Sequence, residues 1–224
     1  TYLKKEKPLA KNRKKLLSFW AAIFFAVQLP AQARSGMENY HQVGESQSYL
    51  WIPMLHYTSQ KGYYAELRYN YEDAGTVSLF AGKSFRLNRN QFSGTLTPML
   101  GYSAGNFQGV SVALNTEISI SGFYFSSQMQ YSLGLAKSKD NFYFNWSEAG
   151  YDLTEKVFAG LAFQYTQQAA VGEFDPGLVI GLNAGDFSFP VYWFRPFGKH
   201  PFVMAGLNYE FRLKGKKRTK SLSL

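Results

Sequence analysis

The strongest constraint on the fold is a stretch of alternating residues at 109–135, which divides at Ser121 and Gly122. On either side of this dipeptide, large apolar residues occupy nearly every second position, and small or polar residues lie between them. A period of two places the two sets on opposite faces of a β-strand. The stretch therefore predicts two strands joined by a turn, each with one bulky apolar face and one small or polar face.

Alternation alone does not show which face meets water. A soluble barrel or sandwich buries its large residues, whereas a membrane barrel directs them outward to lipid and keeps small or polar residues in its lumen. The directions of Gln130 and Tyr131, adjacent in sequence and on opposite faces, would distinguish these two folds.

The N-terminal residues 1–33 have the composition of a secretory signal peptide. Four basic residues at 11–15 precede an apolar run at 16–27, and Ala31, Gln32 and Ala33 follow it. This run is shorter than the roughly 18 residues that span a bilayer as a helix. The order of basic region, apolar core and small-residue site predicts export and cleavage after Ala33.

The net charge of +9 belongs to the two ends of the chain. Residues 1–33 and 212–220 each carry a net charge of +6, whereas residues 34–211 carry −3. A nucleic-acid-binding protein needs basic charge on its folded body, so no nucleic-acid partner is expected. The chain has no cysteine, which excludes disulfides and thiolate metal sites.

Alternation continues through residues 49–211 as eleven runs of about ten residues, without a helical period. At 142–153 the apolar parity changes within one run, which predicts a bulge near 145–147. Bacterial membrane barrels usually have an even number of strands, so one strand is missed or one is split. We expect twelve strands, with ten as the alternative. The predicted organisation is a signal peptide at 1–33, a flexible lead-in at 34–48, an antiparallel barrel at 49–211 and a basic tail at 212–224.

The segment at 49–211 resembles the outer-membrane β-barrel proteins of Gram-negative bacteria. The resemblance rests on the two-residue period, the aromatic strand ends, the exported leader and short-looped hairpins such as residues 64–85. It implies a transmembrane barrel in the outer membrane, in contact with outer-membrane lipid. Such proteins end on a strand with a terminal aromatic residue that the barrel-assembly machinery reads. Phe211 suits that role, although the basic tail follows it.

Parity assigns the functional side chains to two faces. A polar network is predicted to line the lumen, and Arg68 within it is expected to pair with Glu66, Glu117 or Glu210. Its members are Glu66, Arg68, Arg86, Glu117, Gln128, Gln130 and Glu210. Mid-strand residues of the bulky parity are expected to contact lipid: Leu114, Met129, Tyr131 and Leu161.

The predicted function is a non-enzymatic barrel, acting as a small pore or as a structural element, with no cofactor and no metal. One alternative is a lipid-acting outer-membrane enzyme that uses His56 or His200, although no histidine-serine-asparagine run is present. Another is a secreted soluble lipid-binding barrel. Glu173 and Asp175, two residues apart near a Pro-Gly turn, are a weak candidate pair for Ca²⁺.

Overall fold

The structure is a computed structural model that describes residues 33–45, 49–135, 141–168 and 171–213, with only the backbone of Arg212 and Leu213. Residues 1–32 of the predicted signal peptide and residues 214–224 of the predicted tail lie outside the described residues. No helix in the described part is long and apolar enough to cross a membrane.

The described chain consists of strands and their connections. In chain order the strands are β1 (Ala33–Gly44), β2 (Leu50–Thr58), β3 (Tyr63–Tyr69), β4 (Val77–Lys83), β5 (Phe85–Arg89), β6 (Phe92–Ala104), β7 (Gly109–Ile120), β8 (Phe123–Gly134), β9 (Phe142–Asp152), β10 (Val157–Gln168), β11 (Val171–Ala184), β12 (Phe187–Phe194) and β13 (Phe202–Leu213).

These strands form one closed antiparallel barrel. Apart from β4 and β5, each strand pairs with its neighbours in sequence, and β1 pairs with β13. Strands β4 and β5 follow one another along the same edge of β6, with which both pair, so together they fill one strand position of the wall. They separate at Ser84, whose N–H donates to the Gly62 carbonyl in the β2–β3 turn (2.8 Å). The barrel therefore has twelve wall positions, which confirms the predicted fold and strand number.

The two faces of the wall are oriented as in a membrane barrel. The Gln130 side chain is 3% exposed and lies inside, whereas Tyr131 is 44% exposed and points outward. Outward positions on β12 illustrate the wider pattern, since Phe187, Phe189 and Val191 are all exposed. A band of exposed apolar side chains encircles the barrel, which contradicts the soluble lipid-binding alternative.

The two ends of the barrel differ in their connections. At one end, the short-turn end, each connection has at most four residues, and the first and last strands begin and end there. The turn between β7 and β8 has positive φ at Ser121 (50°) and Gly122 (86°), which matches the right-handed twist of a two-residue hairpin. At the other end, the long-loop end, connections such as 70–76 and 195–201 reach seven residues.

The predicted lead-in at 34–48 is wrong over most of its length, because β1 occupies it and completes the barrel. Its outward face carries Asn39 and His41, whose polarity hides the alternation. These groups bond to one another (3.0 Å), Asn39 accepts from Trp51 Nε1 (2.5 Å), and His41 bonds to the Tyr49 hydroxyl (2.6 Å). At the other terminus β13 runs two residues into the predicted tail and pairs Leu213 with Ala33.

Strand β9 has no bulge, contrary to the sequence prediction, since its pairing with β8 and β10 is continuous. Phe142, Phe144 and Trp146 point into the lumen instead, whereas Tyr143 and Tyr151 lie on the outward parity. The outward parity there carries Asn145 and Ser147, which join Ser127 of β8 in an outer polar trio. Ser147 Oγ donates to Ser127 Oγ (2.8 Å), and Asn145 Nδ2 donates to the same oxygen (3.1 Å). Neighbouring side chains leave all three residues buried.

Candidate functional site

The lumen is narrowed by an aromatic cluster contributed by strands on opposite sides of the barrel. Trp146 of β9 lies 5.2 Å from both Tyr40 of β1 and Tyr192 of β12, measured between ring centroids. Towards the long-loop end Phe194 stacks on Phe202 at 4.9 Å. All five side chains are buried. Aromatic rings that meet across a twelve-strand barrel leave little free cross-section at this level.

A second obstruction centres on Arg68, which is 1% exposed. Its Nε donates to Glu66 Oε1 on the same strand face. Its Nη1 donates to Gln130 Oε1 on β8 (2.8 Å) and lies 3.6 Å from Glu72 Oε1. The Glu66 and Glu72 side chains are also buried, so the guanidinium compensates two carboxylates that have almost no contact with solvent.

The β3–β4 loop supplies part of this obstruction because it folds into the lumen. Asn70 adopts a positive φ of 58° and ends β3, after which Tyr71 and Glu72 point inward. The Tyr71 hydroxyl donates to Gln128 Oε1 on β8 (2.6 Å), and its ring lies 4.4 Å from Arg68 Cζ. Glu72 accepts from Ser78 Oγ. The loop is thereby attached to the wall on both sides of the lumen.

Below these groups a cavity of about 600 Å³ opens at the short-turn end. Its wall includes Tyr40 and Tyr192 of the aromatic cluster, and it carries many more acids than bases. Its charged residues are Arg34, Glu38, Glu117, Glu148, Asp152, Asp186 and Glu210, together with His56. A smaller adjoining cavity of about 130 Å³ shares part of this lining and adds Arg86.

Two acids of the large cavity, Glu38 and Glu148, contact tyrosine or histidine side chains. Glu38 Oε1 lies 3.5 Å from His56 Nδ1, and its other oxygen accepts from the Tyr40 hydroxyl (2.9 Å). Glu148 accepts from the Tyr192 hydroxyl (2.7 Å). These contacts fix the positions of the Glu38 and Glu148 carboxyl groups.

At the long-loop end, Arg195 forms ion pairs with Glu173 and Asp175, the two acids that the sequence suggested for Ca²⁺. Its Nη2 lies 2.6 Å from Glu173 Oε1, and its Nε lies 2.5 Å from Asp175 Oδ1. The guanidinium thus occupies the place between the two carboxylates where a cation would bind. Nowhere in the described residues do three or more His, Asp or Glu side chains form a group that could hold a metal.

The structure divides the predicted lumen network into two parts. Glu66, Gln128 and Gln130 lie with Arg68 or its loop, whereas Glu117 and Glu210 line the open cavity and are not among the ion-pair partners of Arg68. Arg86 also lies in the open part. Tyr71 and Glu72, which lie beside Arg68 in the lumen, are not among the predicted lumen residues.

The residues predicted to contact lipid all lie on the outward parity of their strands. Tyr131 and Leu161 are exposed, and Leu114 and Met129, which are paired across β7 and β8, are half-buried by their neighbours. Contact with lipid itself stays a prediction.

The two histidines proposed for an enzyme have different surroundings. His56 faces the cavity beside Glu38 and stacks at 6.2 Å on Tyr64, and within the described residues no serine hydroxyl bonds to it. His200 lies exposed in the β12–β13 loop. A histidine–carboxylate pair without a hydroxyl nucleophile lacks the parts of a serine hydrolase.

A closed twelve-strand antiparallel barrel, apolar outside and polar within, has the fold of the outer-membrane porins. Among solved structures, the chain is similar to the KdgM porin, with a TM-score of 0.60, 10% identity, and coverage of 79% of this chain and 99% of that one. It is also similar to the NanC porin, with a TM-score of 0.56, 9% identity, and coverage of 78% and 98%. No sequence-family profile and no curated protein sequence matches the chain.

Proposed function

We propose that the chain is an integral β-barrel of the bacterial outer membrane that acts as a narrow channel for small polar solutes. The observation that carries this proposal is the polar cavity of about 600 Å³ inside a barrel whose outer face is apolar. Short periplasmic turns and longer extracellular loops are general in such barrels. The short-turn end, with both strand termini, therefore faces the periplasm, and the long-loop end faces outward.

The ligand bound to one similar porin is not the solute that we propose for this chain. One solved structure is the KdgM porin in complex with disordered oligogalacturonate, a chain of sugar carboxylates. Here the cavity wall carries six acids and one arginine, with His56 between them. A polyanion would be repelled at such a wall.

A structural barrel is the second candidate, and the narrowed lumen favours it. Arg68 with its carboxylates and the rings of Trp146, Tyr40 and Tyr192 leave little room for a solute between the cavity and the long-loop end. A channel of this kind conducts only when these groups move. The two candidates agree on location and on the absence of catalysis, and they differ in whether the lumen ever opens.

Single-channel recording in planar bilayers tests the proposal. Trp146→Ala removes the ring that touches both Tyr40 and Tyr192, so it should raise the conductance of the channel. Tyr131→Ala is the matched control, because this aromatic side chain points away from the lumen and its loss should leave conductance unchanged. If neither the wild type nor Trp146→Ala conducts, the structural candidate is correct. Recovery of the protein outside the outer-membrane fraction would contradict both.

A further inference from the structure

The charged side chains of the lumen form three groups, and in each group carboxylates outnumber guanidiniums. At the long-loop end Arg195 faces both Glu173 and Asp175. In the centre Arg68 faces both Glu66 and Glu72. A guanidinium between two carboxylates leaves one negative charge unbalanced. The excess of negative charge therefore extends beyond the cavity to the centre of the lumen and to the long-loop end.

The open cavity contributes the largest excess of acids over bases. Its six acids, Glu38, Glu117, Glu148, Asp152, Asp186 and Glu210, share the lining with Arg34. Arg86 in the adjoining cavity is the second lumen arginine at this end. Even with both arginines counted, the acids outnumber the bases by four when His56 is neutral. A low-dielectric wall around charges of one sign concentrates counter-ions between them.

Unpartnered oxygens of the same cavities favour the same kind of solute. Asn208 Oδ1 at the large cavity and Asn115 Oδ1 at the smaller one are buried without a hydrogen-bond partner in the described structure. Amide oxygens only accept hydrogen bonds. They suit ammonium groups or metal cations and offer nothing to an anion.

We infer that the lumen is cation-selective, and that the solutes it admits from the short-turn end are small cations, organic ammonium ions among them. This inference rests on the proposed channel function. Rings of Asp and Glu side chains provide cation selectivity in channels generally. A cavity of about 600 Å³ is large enough for a small organic cation as well as for hydrated metal ions.

The chain has no cysteine, so one introduced thiol can report the potential inside the lumen whether or not the channel conducts. Ser126 is a suitable position, since it lies between Glu117 and Glu148 on neighbouring strands. Ser188 on β12, four strands away from β8, gives a second position in the same cavity. For Ser126→Cys and Ser188→Cys, modification rates are measured with a trimethylammonium and a sulfonate methanethiosulfonate reagent. The ratio of the two rates removes differences in thiol reactivity and access.

Gln91→Cys, in the exposed turn between β5 and β6, is the control outside the lumen. The cation-to-anion rate ratio at both lumen positions should exceed the ratio at Gln91→Cys by roughly tenfold or more. Adding Glu117→Gln and Glu148→Gln should lower the ratio at Ser126→Cys, whereas Glu155→Gln in the β9–β10 turn should not. A lumen ratio equal to or below the control ratio overturns the inference.

Reversal potentials in a KCl gradient complete the experiment. A conducting wild type should be more permeable to K⁺ than to Cl⁻, and a preference for Cl⁻ overturns the inference. A high rate ratio at the lumen thiols without any conductance would contradict the channel function and still support a lumen that attracts cations. The two proposals therefore fail by different measurements.

Discussion

Replacing Arg68 by Met is the sharpest test of whether the centre of the lumen is dry. The substitution keeps an unbranched side chain near Phe80 and Tyr71 but removes the charge that faces Glu66 and Glu72. Removing one member of a buried ion pair costs about 3–5 kcal/mol. Both carboxylates keep other donors, since Glu66 accepts from Tyr64 (2.5 Å) and Glu72 from Ser78. We therefore expect a loss near 3 kcal/mol, the lower limit of this range.

The free energy of unfolding is measured by urea titration in liposomes, with tryptophan fluorescence and heat-modifiable gel mobility as readouts. Arg86→Met is the matched control, because this arginine is exposed in the open cavity, and its loss should change the free energy by less than about 1 kcal/mol. The triple variant Arg68→Met, Glu66→Gln, Glu72→Gln should recover most of the stability, since it removes the orphaned charges as well. A loss below about 1 kcal/mol for Arg68→Met would refute a dry centre and favour a hydrated pore.

Three further substitutions test the two faces of the wall, the Tyr71–Gln128 hydrogen bond and the ion pairs of Arg195. Leu114→Arg should lower the free energy of unfolding in liposomes by about 2–4 kcal/mol if the residue faces the bilayer midplane. Ser119→Arg, in the open cavity, should lower it little. Equal losses would contradict the assignment of faces. Tyr71→Phe removes the hydroxyl that bonds to Gln128 and should cost about 0.5–1.5 kcal/mol, with a higher open probability in bilayer recordings if the loop moves on opening. Arg195→Met leaves the exposed Glu173 and the largely buried Asp175 without their partner, so we expect a loss of about 1–3 kcal/mol in the free energy of unfolding that becomes smaller in high salt. A loss that does not depend on salt would argue against an electrostatic role.

The sequence predicts the fold well because each wall residue of a membrane barrel meets one of two very different surroundings. Gln130 and Tyr131 are adjacent in sequence, yet one contacts Arg68 inside the lumen and the other is exposed outside. Alternation fails where outward residues are polar, as on β1, where Asn39 and His41 satisfy one another and their aromatic neighbours. Such mutual bonding depends on pairing between strands and cannot be deduced from one strand alone.

The candidate site was predictable only in part. Parity identifies Glu66, Arg68 and Gln130 as inward residues, but it does not give their height along the barrel axis. For that reason the sequence could not separate Glu66, which contacts Arg68, from Glu117, which lines the open cavity. The inward fold of Tyr71 depends on the left-handed conformation of Asn70, one backbone torsion that alternation does not encode.

The outer polar trio of Ser127, Asn145 and Ser147 constrains how β8 and β9 can enter a membrane. Each residue lies on the outward parity, and each is satisfied by partners on the neighbouring strand or within the trio. An unpaired amide or hydroxyl in hydrocarbon costs several kcal/mol. A slip of two residues between β8 and β9 would keep every apolar side chain on its face but would separate Asn145 from Ser127. The trio therefore fixes the register between β8 and β9. It favours entry of this hairpin into the bilayer with the two strands already paired.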